Sequence, residues 1–163
     1  MYEVIDAHSE YLARHVFNIF DPDTVDFVEA INDYYNHTII GTNICLIENV
    51  TVRPKFRGHR IGIKAIKDII FHYSSACGLF VIQPYPLQFD HRSHREDYAH
   101  LALDKFEDTE AEAFKKLKNH YKKMGFETIK GFKDLLFYNP AVKNPKLDKL
   151  DLEEDPFDKQ AKA

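Results

Sequence analysis

Residues 50–66 read VTVRPKFRGHRIGIKAI, and this stretch decides the fold class. Apolar residues alternate up to Val52, Pro54 ends the run because it cannot donate to a strand ladder, and from Ile61 apolar residues recur at helical spacing. A strand therefore hands over to a helix through a turn that holds Arg57, Gly58, His59 and Arg60. A helix start leaves backbone N–H groups unpaired and carries partial positive charge, so a basic, glycine-containing turn there suits an anion, phosphate above all. Gly58 and Gly62 admit close backbone approach, and Arg57, His59 and Arg60 add side-chain donors. The spacing is neither GxGxxG nor GxxxxGK(S/T), which sets the dinucleotide and P-loop readings aside.

The flanking text extends the pattern in both directions. Upstream, residues 38–52 are β-rich, with Gly41 as a bend and Ile44, Leu46, Glu48, Val50 and Val52 on one parity. Downstream, Ile63, Ile66, Ile69, Ile70 and Tyr73 make one face of a helix that Gly78 closes, and LFVIQ (79–83) suits a buried central strand. Residues 89–108 read as a polar loop with a helical turn. EAEAFKKLKNHYKKM (110–124) is a strong helix, with Ala113, Phe114, Leu117, Tyr121 and Met124 on one face and Gly125 as its cap. FETIKG (126–131) and DLLFYN (134–139) follow as a terminal hairpin. The order strand, helix, strand, helix, strand, strand predicts an α/β fold, a mixed central sheet with flanking helices and a strand-helix-strand crossover. Ahead of it, residues 10–20 and 23–35 predict two short amphipathic helices. The expected organisation is one domain over 1–139, with a two-helix part (1–37) and a core (38–139), followed by a disordered acidic tail (140–163).

Composition narrows the partners. A chain of 163 residues with 13 Phe and 9 Tyr has the material for a real core, and a net charge of −4 argues against a generic polyanion binder, so any anion site is local. Neither nucleic acid nor membrane is expected as a partner. No apolar run approaches the ~18 residues of a membrane span, and the N-terminus lacks a signal-peptide pattern, so the cytoplasm is the expected location. Cys45 and Cys77, without CxxC spacing, are expected as buried thiols.

Two separated segments give the core a resemblance. Val52, Pro54, Arg57, Gly58, Ile61 and Gly62, as V-x-P-x-x-R-G-x-x-I-G, resemble the acyl-coenzyme-A-binding segment of the GNAT superfamily of N-acetyltransferases. At the expected distance HYKKMGF, with Tyr121, Gly125 and Phe126, is similar to the YxxxGF helix end of those enzymes, and the resemblance covers about residues 39–138. It implies an acyl-CoA N-acyltransferase fold splayed at its two motif strands, with acetyl-coenzyme A as co-substrate in the gap and no metal. The strand end at Val50, Thr51 and Val52 would meet the pantetheine arm, and the amides of Arg57, Gly58, His59, Arg60, Ile61 and Gly62 would hold the pyrophosphate. Tyr121 would lie near the thioester sulfur as general acid. An amine on a small molecule, peptide or protein would accept the acetyl group. For the base the residues themselves suggest Glu48, the charged member of an otherwise apolar parity, whose desolvation would raise its pKa.

Two departures from the family pattern leave alternatives open. Arg60 stands where the family usually has glycine, and before residue 38 the chain offers only YEVI as a strand in place of several. These favour a noncatalytic coenzyme-binding or interaction module, and the sheet edge left exposed suggests a homodimer. A zinc-dependent hydrolase built on His91, His94 and His100 with Asp90 and Asp97 is a third reading, carried by the HxxH spacing.

Overall fold

Four consecutive apolar side chains at Leu79–Ile82 have no polar face to turn to solvent. The computed structural model of the chain, which describes residues 17–89 and 95–150, buries all four in the middle of a three-stranded sheet. The strands are β1 (Ile44–Ile47), β2 (Leu79–Ile82) and β3 (Leu136–Tyr138). β1 runs parallel to β2, in register from Ile44 opposite Leu79 to Ile47 opposite Ile82, and β3 runs antiparallel to β2. The helices are α1 (Glu29–Tyr34), α2 (Ile61–Tyr73), α3 (Glu110–Lys123) and α4 (Pro145–Asp148). The architecture is α/β with a small mixed sheet, as expected, and α2 is the crossover between the parallel strands.

Strand alternation divides the core between two faces. Leu79 and Val81 pack with Ile19, Phe20, Phe27, Ile31 and Phe137. Phe80 and Ile82 pack on the other face with Ile66 and Ile70 of α2, with Tyr121 and Met124 at the end of α3, and with Phe126. The apolar stripes of α2 and α3 thus cover one face of the sheet, and residues 19–35 cover the other.

Several elements differ from the sequence expectation. β1 covers only Ile44–Ile47, and the single parity of residues 44–52 does not hold. Ile44 and Leu46 lie on the first core, whereas Ile47 and Val50 lie on the second, so the alternation breaks at Glu48 and Asn49, both exposed. The helix expected over 23–35 shrinks to α1. The Asp21 carboxylate accepts from the Asp23 and Thr24 amides, Val25 has φ +59, and Phe20 bridges Phe27 with ring centroids 5.2 Å apart, so Asx-turn chemistry replaces the first helical turns. Of the helix expected over 10–20, residues 10–16 lie outside the described residues and Phe17–Ile19 form a 3-10 turn; YEVI also lies outside.

Gly78 is not a helix cap. α2 passes to Ser74, and a Cβ on Gly78 would stand 2.2 Å from the Gly41 carbonyl oxygen, so close backbone approach explains the glycine. The terminal hairpin is reduced to β3 and one bridge, Glu127 to Phe137. The acidic tail is partly folded. Asn144 caps α4 by accepting from the Lys146 amide, donates to the Gly125 carbonyl at 3.1 Å, and Leu147 is buried; residues 151–163 lie outside the described residues. Cys45 and Cys77 are half-buried rather than buried, and burial raises both thiol pKa values. Among the described residues no helix is long and apolar enough to cross a membrane.

Candidate functional site

The parallel ladder stops at Ile47 opposite Ile82, and the chains beyond it leave the sheet. Between them opens a cavity of about 530 Å³. One wall is the arm Glu48–Val52, the opposite wall is Gln83 with Tyr85–Gln88, and the floor is the first turn and a half of α2 down to Ile66. The loop arm from Leu101 to Glu107 and one stripe of α3 complete it.

The turn before α2 has the expected form with a different division of labour. A 3-10 turn at Pro54–Phe56 is followed by Gly58 at φ +84 and Arg60 at φ +58. The left-handed residue at Arg60 aims the chain into α2, whose first hydrogen bond runs from the Lys64 amide to the Arg60 carbonyl at 3.0 Å. The amides of Ile61, Gly62 and Ile63 therefore stay outside the helical ladder, with no side-chain cap and no acidic residue in the first turn. A Cβ on Gly62 would sit 3.5 Å from both Val50 Cγ1 and Val52 Cγ2, so the helix start lies directly against the strand arm.

Arg57 is not a free cation at this turn. Its Nε donates to the Val52 carbonyl at 3.0 Å, Nη2 donates to the Leu101 carbonyl and Nη1 reaches the Ala102 carbonyl at 3.4 Å. The guanidinium also stacks on Phe106, 4.7 Å from the ring centroid. Arg57 thus fastens the strand arm and the 101–106 arm together, with three of its five N–H donors directed at backbone carbonyls and the guanidinium still on the cavity wall.

The cavity brings together Glu48, Val50, Thr51, Val52, Arg57, Gly58, Arg60, Ile61, Gly62 and Tyr121. His59 is exposed and stands off the wall. Glu48 is exposed as well, so the desolvated setting expected for it is absent. Tyr121 is 5% exposed, its ring 6.2 Å from Phe126, and burial pushes its pKa up to about 12, which keeps the phenol protonated and able to donate near neutral pH.

Sequence reasoning missed three parts of the wall. His120, beside Tyr121, lines the cavity; burial and then the Lys123 charge pull its pKa below the ordinary histidine range. Lys116 and Glu107 form an ion pair on the wall, and the hydrogen bond from Lys116 holds the Glu107 carboxyl below the usual range. The arms at 83–88 and 101–107 supply Tyr85, Gln88 and Phe106. The signal for the first two was the spacing Ala113, Lys116, Leu117, His120, Tyr121, which is one helical stripe.

His91, His94 and Asp90 of the suggested metal set lie outside the described residues, and His100 is exposed. Among the described residues no group of three or more His, Cys, Asp or Glu side chains could hold a metal. No family model, curated protein or solved structure matches the chain.

Proposed function

We propose that the chain is an acyl-coenzyme-A-dependent N-acyltransferase of GNAT type, moving an acetyl group directly from acetyl-coenzyme A to an amine. The observation that carries the proposal is the divergence of the parallel strands: the slot it opens has unladdered helix amides at one end and a protonated Tyr121 on its wall. The pyrophosphate would rest on the amides of Ile61, Gly62 and Ile63, and the pantetheine arm would run along Val50–Val52. A strand-arm amide would polarise the thioester carbonyl, and Tyr121 would protonate the departing thiolate.

Calorimetric titration of the folded chain with acetyl-coenzyme A tests this, with ATP as the comparison. Saturable one-site binding that ATP does not reproduce supports the proposal, and no binding by a folded sample sinks it. Arg60, whose side chain stands where the resemblance expects glycine, favours a second reading as a noncatalytic coenzyme binder. That reading predicts the same titration curve with no acetyl transfer to any amine.

A further inference from the structure

The α3 residues on the cavity wall recur at spacings of three and four, Ala113, Lys116, Leu117, His120 and Tyr121. Ala113 and Leu117 are apolar, and Lys116 is held by Glu107. The stripe therefore offers the slot two polar groups that no other described residue hydrogen-bonds, the Tyr121 phenol and the His120 imidazole. Their rings meet at a steep angle with centroids 5.7 Å apart, and both residues line the same cavity.

We propose that His120 is the proton acceptor for the attacking amine, the role the sequence assigned to Glu48. The inference rests on the acyltransferase reading. The ammonium group gives one proton to an imidazole nitrogen of His120, and the freed lone pair attacks the thioester carbonyl carbon. The N–C bond forms and the C–S bond breaks, the thiolate takes the phenolic proton of Tyr121, and the second nitrogen proton, acidic once the bond exists, replaces it. One proton leaves His120 for solvent through the ring's open edge, so the balance is amide, free thiol and one proton.

The surroundings suit a neutral imidazole. Partial desolvation of the ring and, after it, Lys123 disfavour its charged form, while the residue keeps an exposed side through which protons can exchange. The other charges on the cavity wall are the Lys116–Glu107 pair, Glu48 at the end of β1, and Arg57 and Arg60 at the turn. Glu48 and His120 are both exposed, and what sets His120 apart is its place on the same helix stripe as the acid.

The test compares the full-length wild type with His120→Gln, His120→Ala and Glu48→Gln. The probes are acetyl-coenzyme A with spermidine and with lysine amide, and acetyl-coenzyme A in water alone, each followed by loss of thioester absorbance. Thermal melts confirm folding, and calorimetry gives the acetyl-coenzyme A Kd. The expected result for His120→Gln is a Kd within about twofold of wild type, kcat lowered about 10²–10⁴-fold with KM little changed, and loss of the acid limb that wild type shows below the ordinary histidine range. Added imidazole partly restores His120→Ala. A His120→Gln protein that keeps the wild-type kcat and acid limb overturns the proposal, as does a wild type that binds acetyl-coenzyme A yet consumes it with neither amine nor water. Failure of the folded wild type to bind acetyl-coenzyme A overturns the acyltransferase reading itself, and His120 with it.

Discussion

Replacing Arg57 separates a fastener from an anion ligand. In the structure its guanidinium makes two good hydrogen bonds to carbonyls, to Val52 and Leu101, one long one to Ala102, and a stack on Phe106. Charge-assisted bonds of this kind contribute about 1.5 kcal/mol each at the low end, and the stack about 0.5–1 kcal/mol. Because Arg57 is half-buried and water can reach part of the vacated space, Arg57→Ala should destabilise by about 2–3 kcal/mol rather than the full sum. For a chain of this length that is a drop in Tm of about 4–12 °C. Urea and thermal melts followed by circular dichroism measure it. Limited proteolysis should also show new cleavage around Lys105, since the 101–106 arm loses its tie. Arg57→Lys should behave nearly as Arg57→Ala, because an ammonium cannot span the same carbonyls. A Tm within about 1 °C of wild type, combined with a tenfold or greater loss of acetyl-coenzyme A affinity that Lys restores, would refute the reasoning and return Arg57 to the anion.

Tyr121→Phe should lower kcat about 10²-fold and leave acetyl-coenzyme A affinity within about twofold; lost affinity at unchanged kcat would contradict the acid role. The same variant carries a pH signature. With a folded value of about 12 against about 10 for an unfolded tyrosine, the phenol is protonated in both states below pH 10 and ionises first in the unfolded chain above it. Wild-type stability therefore falls between pH 10 and about 12, and Tyr121→Phe should decline less steeply across that window in urea melts. Gly58→Ala should cost about 1 kcal/mol, because φ is +84 with open space around it, whereas Gly62→Ala should be neutral or stabilising by up to about 1 kcal/mol, since its Cβ meets two valine methyls at ordinary contact distance. Equal melting temperatures for the two glycine variants would count against the turn geometry. Gly78→Ala should cost about 2–4 kcal/mol, because the Gly41 backbone must move; a melt within about 0.5 kcal/mol of wild type would show that the two chains do not approach there.

The parts of the fold that were legible are those where one physical effect dominates. Leu79–Ile82 has no polar option, and α3 has a strong stripe bounded by Thr109, which accepts from the Glu112 amide, and by Gly125 at φ +96. Misreadings fell where local chemistry competes with periodicity. Residues 23–28 fit a helical pattern, yet Asp21 and the Phe20–Phe27 bridge draw them into a turn. Residues 44–52 fit a strand, yet the alternation breaks at Glu48 where the two parallel strands part, and that break is what opens the cavity.

The turn at 57–62 shows the limit of a motif more sharply. Its text places three basic side chains around one anion site, but the backbone assigns them different tasks. Arg57 turns inward because Val52, Leu101 and Ala102 leave carbonyls within reach of one planar fork, a long-range fact that no local pattern contains. His59 stays exposed and off the wall. Arg60 occupies a left-handed conformation, φ +58, that costs an ordinary residue roughly 1–2 kcal/mol and a glycine little, which is the physical reason glycine is expected at that position. On the proposed reading, the anion would then be held chiefly by the amides of Ile61, Gly62 and Ile63, which the helix start supplies whatever side chains surround it. On that reading, a chain with net charge −4 would hold an anion at this turn through helix amides rather than through a basic patch.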